Sequence, residues 1–144
     1  MATVRHILQT KGKDIWSVTP ETSVYDALRV MAGKNVGALL VMSGEKLAGI
    51  FSERDYARKI ILKGESSQTT AVKEIMTSLV VFVQPDQTIE ECMTLMTQKR
   101  VRHLPVFEHE QLVGLISIGD VVKEIISDQQ QTIQHLENYI TGKR

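Results

Sequence analysis

Little in this sequence points to reactive chemistry. Its 144 residues contain one cysteine, Cys92, which excludes an intramolecular disulfide and suits a reducing compartment. Cys92 falls in a helical pattern where an earlier stretch has Ala27, so it reads as a small buried residue rather than a nucleophile. The 17 basic and 17 acidic residues cancel, so no overall field draws the chain to nucleic acid or to an anionic membrane. No apolar run approaches the roughly 20 residues that span a bilayer, and the opening stretch MATVRHILQTKGK lacks the apolar core of a secretory signal. The expectation is a soluble, cytoplasmic protein. His6, His103, His109 and His135 show no metal-ligand spacing. There is no Walker motif, no GxGxxG and no recognisable grouping of serine, histidine and acid. No catalytic residue, metal or catalytic cofactor is expected, and the chain does not read as an enzyme.

What is present is a repetition. Pro20-Glu21-Thr22-Ser23-Val24 returns sixty-five residues later as Pro85-Asp86-Gln87-Thr88-Ile89, and GIFSERD, Gly49 to Asp55, returns as GLISIGD, Gly114 to Asp120. Between and around them Met31/Met96, Val36/Val101, Leu39/Leu104, Val41/Val106, Leu47/Leu112 and Ile60/Ile125 match without a gap. The period is too long for a solenoid unless each unit is nearly a small domain. At about sixty residues a copy would be marginally stable alone, so two half-domains sharing a core are expected.

Each copy reads β-α-β-β-α. Ile15 to Val18 and Val80 to Val83 are short β-prone runs. Ser23-x-x-Asp26 and Thr88-x-x-Glu91 look like capping boxes, followed by apolar residues at helical spacing. Gly37–Met42 with Leu47–Phe51, and Leu104–Phe107 with Leu112–Ile116, form apolar hairpins. Pro105 cannot donate to a ladder, which predicts an edge or a cleft on one side of its strand. A second helix starts near Ser52 or Ser117. Val72-x-x-Ile75-Met76 echoes Val4-x-x-Ile7-Leu8, giving each copy a lead-in turn. The expected divisions are 4–64, 72–127 and a helical tail over 128–144, whose Ile133, Leu136 and Ile140 read first as a helix covering its own core and second as a docking helix. Met31, Met76, Met93 and Met96 read as core filler. Trp16, the only tryptophan, reads first as core and second as a stacking platform.

The constellation that could carry function is Gly-h-h-Ser-x-x-Asp (h, apolar) at the start of each second helix. It sets a hydroxyl, a carboxylate and unpaired N–H groups at a helix N-terminus, an end that favours anions. A carboxylate there can accept two hydrogen bonds from a ribose diol. The same residues are also ordinary capping boxes, which many helices carry without a ligand. The motif alone leaves both readings open.

Taken in order, Val-x-x-Ile-Met-Thr, Pro-x-x-Thr-Ile, Arg100-Val101-Arg102-His103-Leu104-Pro105-Val106 and Gly-Leu-Ile-Ser-Ile-Gly-Asp-Val-Val resemble a cystathionine-β-synthase (CBS) domain. The first copy resembles another, so residues 4–126 resemble a CBS pair, or Bateman module. The resemblance implies an α+β fold of two repeats packed with pseudo-twofold symmetry, leaving clefts between the copies. It implies a regulatory, signal-transduction role in which the ligand is AMP, ADP, ATP, NAD or S-adenosylmethionine. By the same resemblance Asp55 and Asp120 hold ribose hydroxyls, and Ser52 and Ser117 bond ribose or phosphate. The adenine lies against Ile15, Trp16 and Val18 in one site and against Val80, Val81 and Val83 in the other. Backbone around Ala38–Leu39 and His103–Leu104 reads its edge, and Arg54, Arg58, Arg102 and His103 meet phosphate. The two sites differ: Glu53-Arg54 stands where the other has Ile118-Gly119, and Gly37-Ala38-Leu39-Leu40 where the other has Arg102-His103-Leu104-Pro105. The site using Asp120 is preferred. A homodimer and an unidentified regulated partner protein are also implied, with a ligand-free interaction scaffold as the alternative.

Overall fold

In the computed structural model, residues 2–12, 14–78 and 80–142 are described. The elements are α1 (Val4–Lys11), β1 (Ser17–Val18), α2 (Val24–Lys34), β2 (Ala38–Ser43), β3 (Lys46–Ser52), α3 (Glu53–Tyr56), α4 (Ile89–Lys99), β4 (His103–Glu108), β5 (Gln111–Ser117) and α5 (Ile118–Thr141). A π-helical turn, Ala57–Ile61, continues α3, and a short 3-10 turn covers Val72–Glu74. The architecture is α+β, with the strand and helix order of the two repeats.

The compact units cut across the repeats. One is contiguous, Ile15–Val80; the other is split, Met1–Asp14 with Val81–Arg144. Backbone bonds at each lead-in show why. In the split unit the amides of Val4 and Arg5 donate to the carbonyls of Gln87 and Pro85, both at 2.9 Å. In the contiguous unit the amides of Val72 and Lys73 donate to Thr22 at 2.8 Å and Pro20 at 3.0 Å. The Pro-x-Thr or Pro-x-Gln loop of each repeat thus cradles the lead-in of the other repeat. Val4, Ile7 and Leu8 are buried in the core of the split unit with Val83, Ile89, Cys92, Leu104 and Ile116. Val72 and Ile75 take the same place in the other core, with Val24, Ala27, Leu39 and Phe51. Cys92 is fully buried, as its equivalence to Ala27 predicts, and burial pushes its thiol up to about 11.

Both hairpins form, with a bulge at the same place in each, between Val41 and Met42 and between Val106 and Phe107. The short leading strands do not match. β1 is only two residues, parallel to β2, and the Leu40 N–H donates to Trp16 O at 3.2 Å. In the second repeat the Val80 to Val83 run is not a strand: a single parallel bridge joins Val83 to Val106. Pro105 stands where Leu40 stands and has no N–H to give to Val81, so the ladder loses its first rung. The carbonyl of Pro105 still accepts from the Val83 N–H at 3.0 Å.

The β4–β5 loop has two residues, His109 and Glu110, with φ of 51° and 65°. Two left-handed residues fit a tight hairpin, but neither is the glycine or asparagine such a turn favours. Glu110→Gly should therefore raise the thermal midpoint, with a gain of about 0.5 to 1 kcal/mol, measured by calorimetry against Glu45→Gly as an exposed control.

The tail departs from expectation. α5 runs unbroken from Ile118 to Thr141, and only its first turns reach the core, through Val121 and Ile125. Ile133, Leu136 and Ile140 are 55%, 58% and 81% exposed, so the tail does not cover its own core. The spacing that predicts a helix was correct; the face it presents meets no other element of the described chain.

Candidate functional site

Both Gly-h-h-Ser-x-x-Asp segments fold alike. The strand before each serine is held in register by its hairpin partner, which sets Ala38 opposite Ser52 and His103 opposite Ser117. The chain then turns into a helix whose first amide is taken by the start of the hairpin: Glu53 N–H donates to Gly37 O at 3.1 Å and Ile118 N–H to Arg102 O at 2.8 Å. The serine hydroxyl accepts from the aspartate N–H at 3.2 Å in each case. The aspartate accepts in return from the serine N–H, at 3.0 Å for Asp55 and 2.8 Å for Asp120. Both are complete capping boxes.

The two carboxylates differ in what else they touch. Asp55 is buried and engaged at both oxygens. Its Oδ2 also accepts from Ser52 Oγ at 3.1 Å, and its Oδ1 meets Thr77 Oγ1 at 3.4 Å and Lys59 Nζ at 3.3 Å. Asp120 concentrates its bonds on Oδ2, which takes the Ser117 N–H and Lys11 Nζ at 2.6 Å. Among the described residues nothing bonds its Oδ1. Lys11 Nζ also donates to Leu115 O at 2.8 Å, so it is anchored at the end of β5 rather than swinging in solvent.

Burial pushes the Asp120 carboxyl up, but hydrogen bonds from Lys11 and Ser117 outweigh it and hold it below the usual range. His103 is shifted the other way for a base: burial, then the charges of Lys11 and Arg102, lower its pKa against the opposing pull of Asp120. The shift favours the neutral imidazole. This end of the split unit gathers one carboxylate, the basic side chains of Lys11 and Arg102, and a histidine, an excess of positive charge at a helix N-terminus.

In the contiguous unit Ile15 and Val18 are half-buried; β1 sets Ser17 opposite Leu40 and Val18 opposite Val41, while Ala38 stands opposite Ser52. Trp16 is 37% exposed, with Lys34 Nζ 4.2 Å from its ring centroid. The expectation that it fills the core fails, because β1 is an edge too short to bury so large a ring. Arg54 and Arg58 are both exposed, Arg58 on the π-helical turn beyond the cap. In the split unit, Val81 and Val83 lie beside Leu104 and Pro105, with Arg102, His103, Ser117 and Asp120 around the helix start. Val80, the last residue before them, falls in the contiguous unit. Gly119 is exposed, and a Cβ there would meet only Ser117 Oγ, at 3.6 Å. A Cβ on Gly49 or Gly114 would meet the lead-in segment, Thr77 and Met76 in one unit and Leu8 in the other.

Lys11 is the residue sequence reasoning missed. It lies outside the motif, over a hundred residues from Asp120, and its counterpart by repeat is Leu79. Only the exchange of lead-ins brings it to this helix.

Comparison with known proteins places these motifs in a family. The sequence pattern of the CBS domain matches twice, over residues 4–62 and 72–127. CBSX3 of Arabidopsis thaliana, named a mitochondrial CBS domain-containing protein, is 42% identical over 97% of this chain and 72% of its own. YhcV of Bacillus subtilis is 30% identical over 90% of this chain and 89% of its own. A solved CBS-domain protein of Burkholderia ambifaria MC40-6 is 53% identical, with a TM-score of 0.86 over 89% of this chain and 96% of that one.

Proposed function

This chain belongs to the CBS-domain family as a tandem pair, and from that premise we propose that it is a non-catalytic regulatory module whose α5 N-terminus binds an adenosyl ligand and relays occupancy to a partner protein. The observation that carries this reading is the carboxylate of Asp120. One oxygen is fixed by Ser117 and Lys11 while the other is open to a ribose diol. Lys11, Arg102 and the helix start supply positive charge for a 5′-phosphate. That favours AMP, ADP, ATP or NAD over the cationic S-adenosylmethionine. Val81, Val83 and Leu104 offer the apolar surface for adenine. The CBS pair of MJ0100, 20% identical with a TM-score of 0.77, was solved with 5′-methylthioadenosine and S-adenosylmethionine; it supports adenosyl binding as something this fold accommodates. The Burkholderia relative, described as a candidate signal-transduction protein, fits a relay role. In energetic terms a ligand that prefers one arrangement of the module shifts the population toward it.

The completeness of both capping boxes favours a second reading, a scaffold that keeps the fold without a ligand. Thermal unfolding of nucleotide-stripped protein with AMP, ADP, ATP, NAD, NADH and S-adenosylmethionine separates the two. A ligand at about 100 times its dissociation constant adds roughly 2.7 kcal/mol, several degrees for a chain of this size. The expected result is a shift with the phosphate-bearing ligands that Asp120→Asn removes and Asp55→Asn leaves in place. Asparagine keeps an acceptor for the Ser117 N–H, so lost binding is not confused with a lost cap. A flat response to all six ligands sinks the nucleotide reading and leaves the scaffold.

A further inference from the structure

α5 carries two apolar stripes. Val121 and Ile125 face the core, and the first half of the helix packs against α1 and α4. A second stripe, on another face, runs through Val122, Ile126, Gln129, Ile133, Leu136 and Ile140. The intervals along it alternate four, three, four, three, four. That is the 3.5-residue repeat of a left-handed coiled-coil seam. Isoleucine occupies the a position in three successive heptads, at 126, 133 and 140, while Val122, Gln129 and Leu136 occupy d. All five apolar members are exposed.

Three observations say what covers this face. First, isoleucine at three successive a positions, with leucine at one of the three d positions, suits two parallel strands, and such a seam is its own complement, so the partner is a second copy. Second, Gln129 is the one polar residue in the seam. In a parallel pair it meets its own copy and the two amides can bond; in an antiparallel pair it would face Ile133 and be left unpaired, which is costly for a buried amide. Third, no flanking e–g pair of a parallel dimer joins like charges: Ile125 faces Gln130, and Thr132 faces Glu137. A membrane surface does not fit, because no lysine or arginine occurs between Glu124 and Gly142, and interfacial helices are rich in them. Nor does a lone helix fit. Past Asp128 the helix packs on no other element of the described chain, and an isolated stretch of that length is marginal in water.

We propose that α5 pairs with α5 of a second copy as a parallel two-stranded coiled coil along this seam. The pairing does not rest on the nucleotide reading and would survive its failure. It goes beyond a dimer of unspecified contact by assigning the surface, direction and register.

Disulfide trapping in the full chain tests it. Cys92 is first replaced by alanine, the residue its repeat partner already has, and single cysteines are then placed at Ile140 (a) or Gln131 (f, on the far side of the helix). Both positions are exposed, so neither variant threatens the fold. At low micromolar concentration under mild oxidation, Ile140→Cys should form a covalent dimer at least ten times faster than Gln131→Cys. Adding Ile133→Asp to the Ile140→Cys chain should abolish that advantage. Equal rates at positions 140 and 131, or no dimer at 140, would overturn the proposal. So would covalent dimers that appear only when Val122→Cys and Ile140→Cys chains are mixed, since that pattern marks an antiparallel pair.

Discussion

Gly49→Ala should lower the stability of the chain by about 2 to 3 kcal/mol, and Gly114→Ala by distinctly less. The two glycines are equivalent by repeat, and both lie where a lead-in passes over the hairpin. A Cβ on Gly49 would sit 2.7 Å from the backbone carbonyl of Thr77 and 2.9 Å from Met76 Sδ. That carbonyl accepts from the Ile50 N–H at 3.0 Å and the Thr77 N–H donates to Ile50 O at 2.9 Å, so the backbone cannot retreat without breaking a two-bond bridge. On Gly114 the obstacle is Leu8 Cδ2 at 2.5 Å, the end of a side chain that can change rotamer. Urea unfolding of both variants gives the comparison. Leu8→Ala should also relieve part of the Gly114→Ala penalty, a non-additivity expected of groups in direct contact; strict additivity would show that the clash is absorbed elsewhere.

The second large effect concerns Leu8 itself. Leu8→Asp places an unpaired charge in the core of the split unit, a mechanism that costs more than about 4 kcal/mol. The damage should map far from the substitution in sequence. Hydrogen exchange should rise across α4, β4 and β5, residues Ile89 to Ser117, while the first repeat's own hairpin, Ala38 to Ser52, keeps its protection. If instead the exchange rises in Ala38–Ser52 and spares β4 and β5, the lead-in packs with its own repeat and the exchange of lead-ins is wrong.

That exchange marks the limit of what the sequence made legible. The repeat, the two hairpins and the serine caps were all readable, because each depends on local chemistry: alternation, a polar turn, a hydroxyl three residues before an acid. Cys92 was readable by its equivalence to Ala27. Which repeat a lead-in joins is not local. Val4-x-x-Ile7-Leu8 and Val72-x-x-Ile75-Met76 carry the same pattern and could serve either core, so no residue type distinguishes the exchange. Lys11 was missed for that reason alone. Trp16 misled because a large apolar ring normally signals a core, whereas here a two-residue edge strand has no depth to bury it. The tail misled because apolar helical spacing tells that a face exists without telling what it meets.

The split of one unit around the other also orders events in time. The contiguous unit, Ile15–Val80, is complete once its own residues have left the ribosome. The other cannot close until β5 and the start of α5 have been made, and α1 must wait with Val4, Ile7 and Leu8 uncovered. Folding of the middle segment replaces a loop of more than sixty flexible residues with one compact body, and so lowers the entropy lost when α1 finally meets α4 and β5. Birth of the chain thus proceeds from the inside outward. Whatever slows the middle leaves the first helix as an exposed apolar end, open to chaperones and to stray partners.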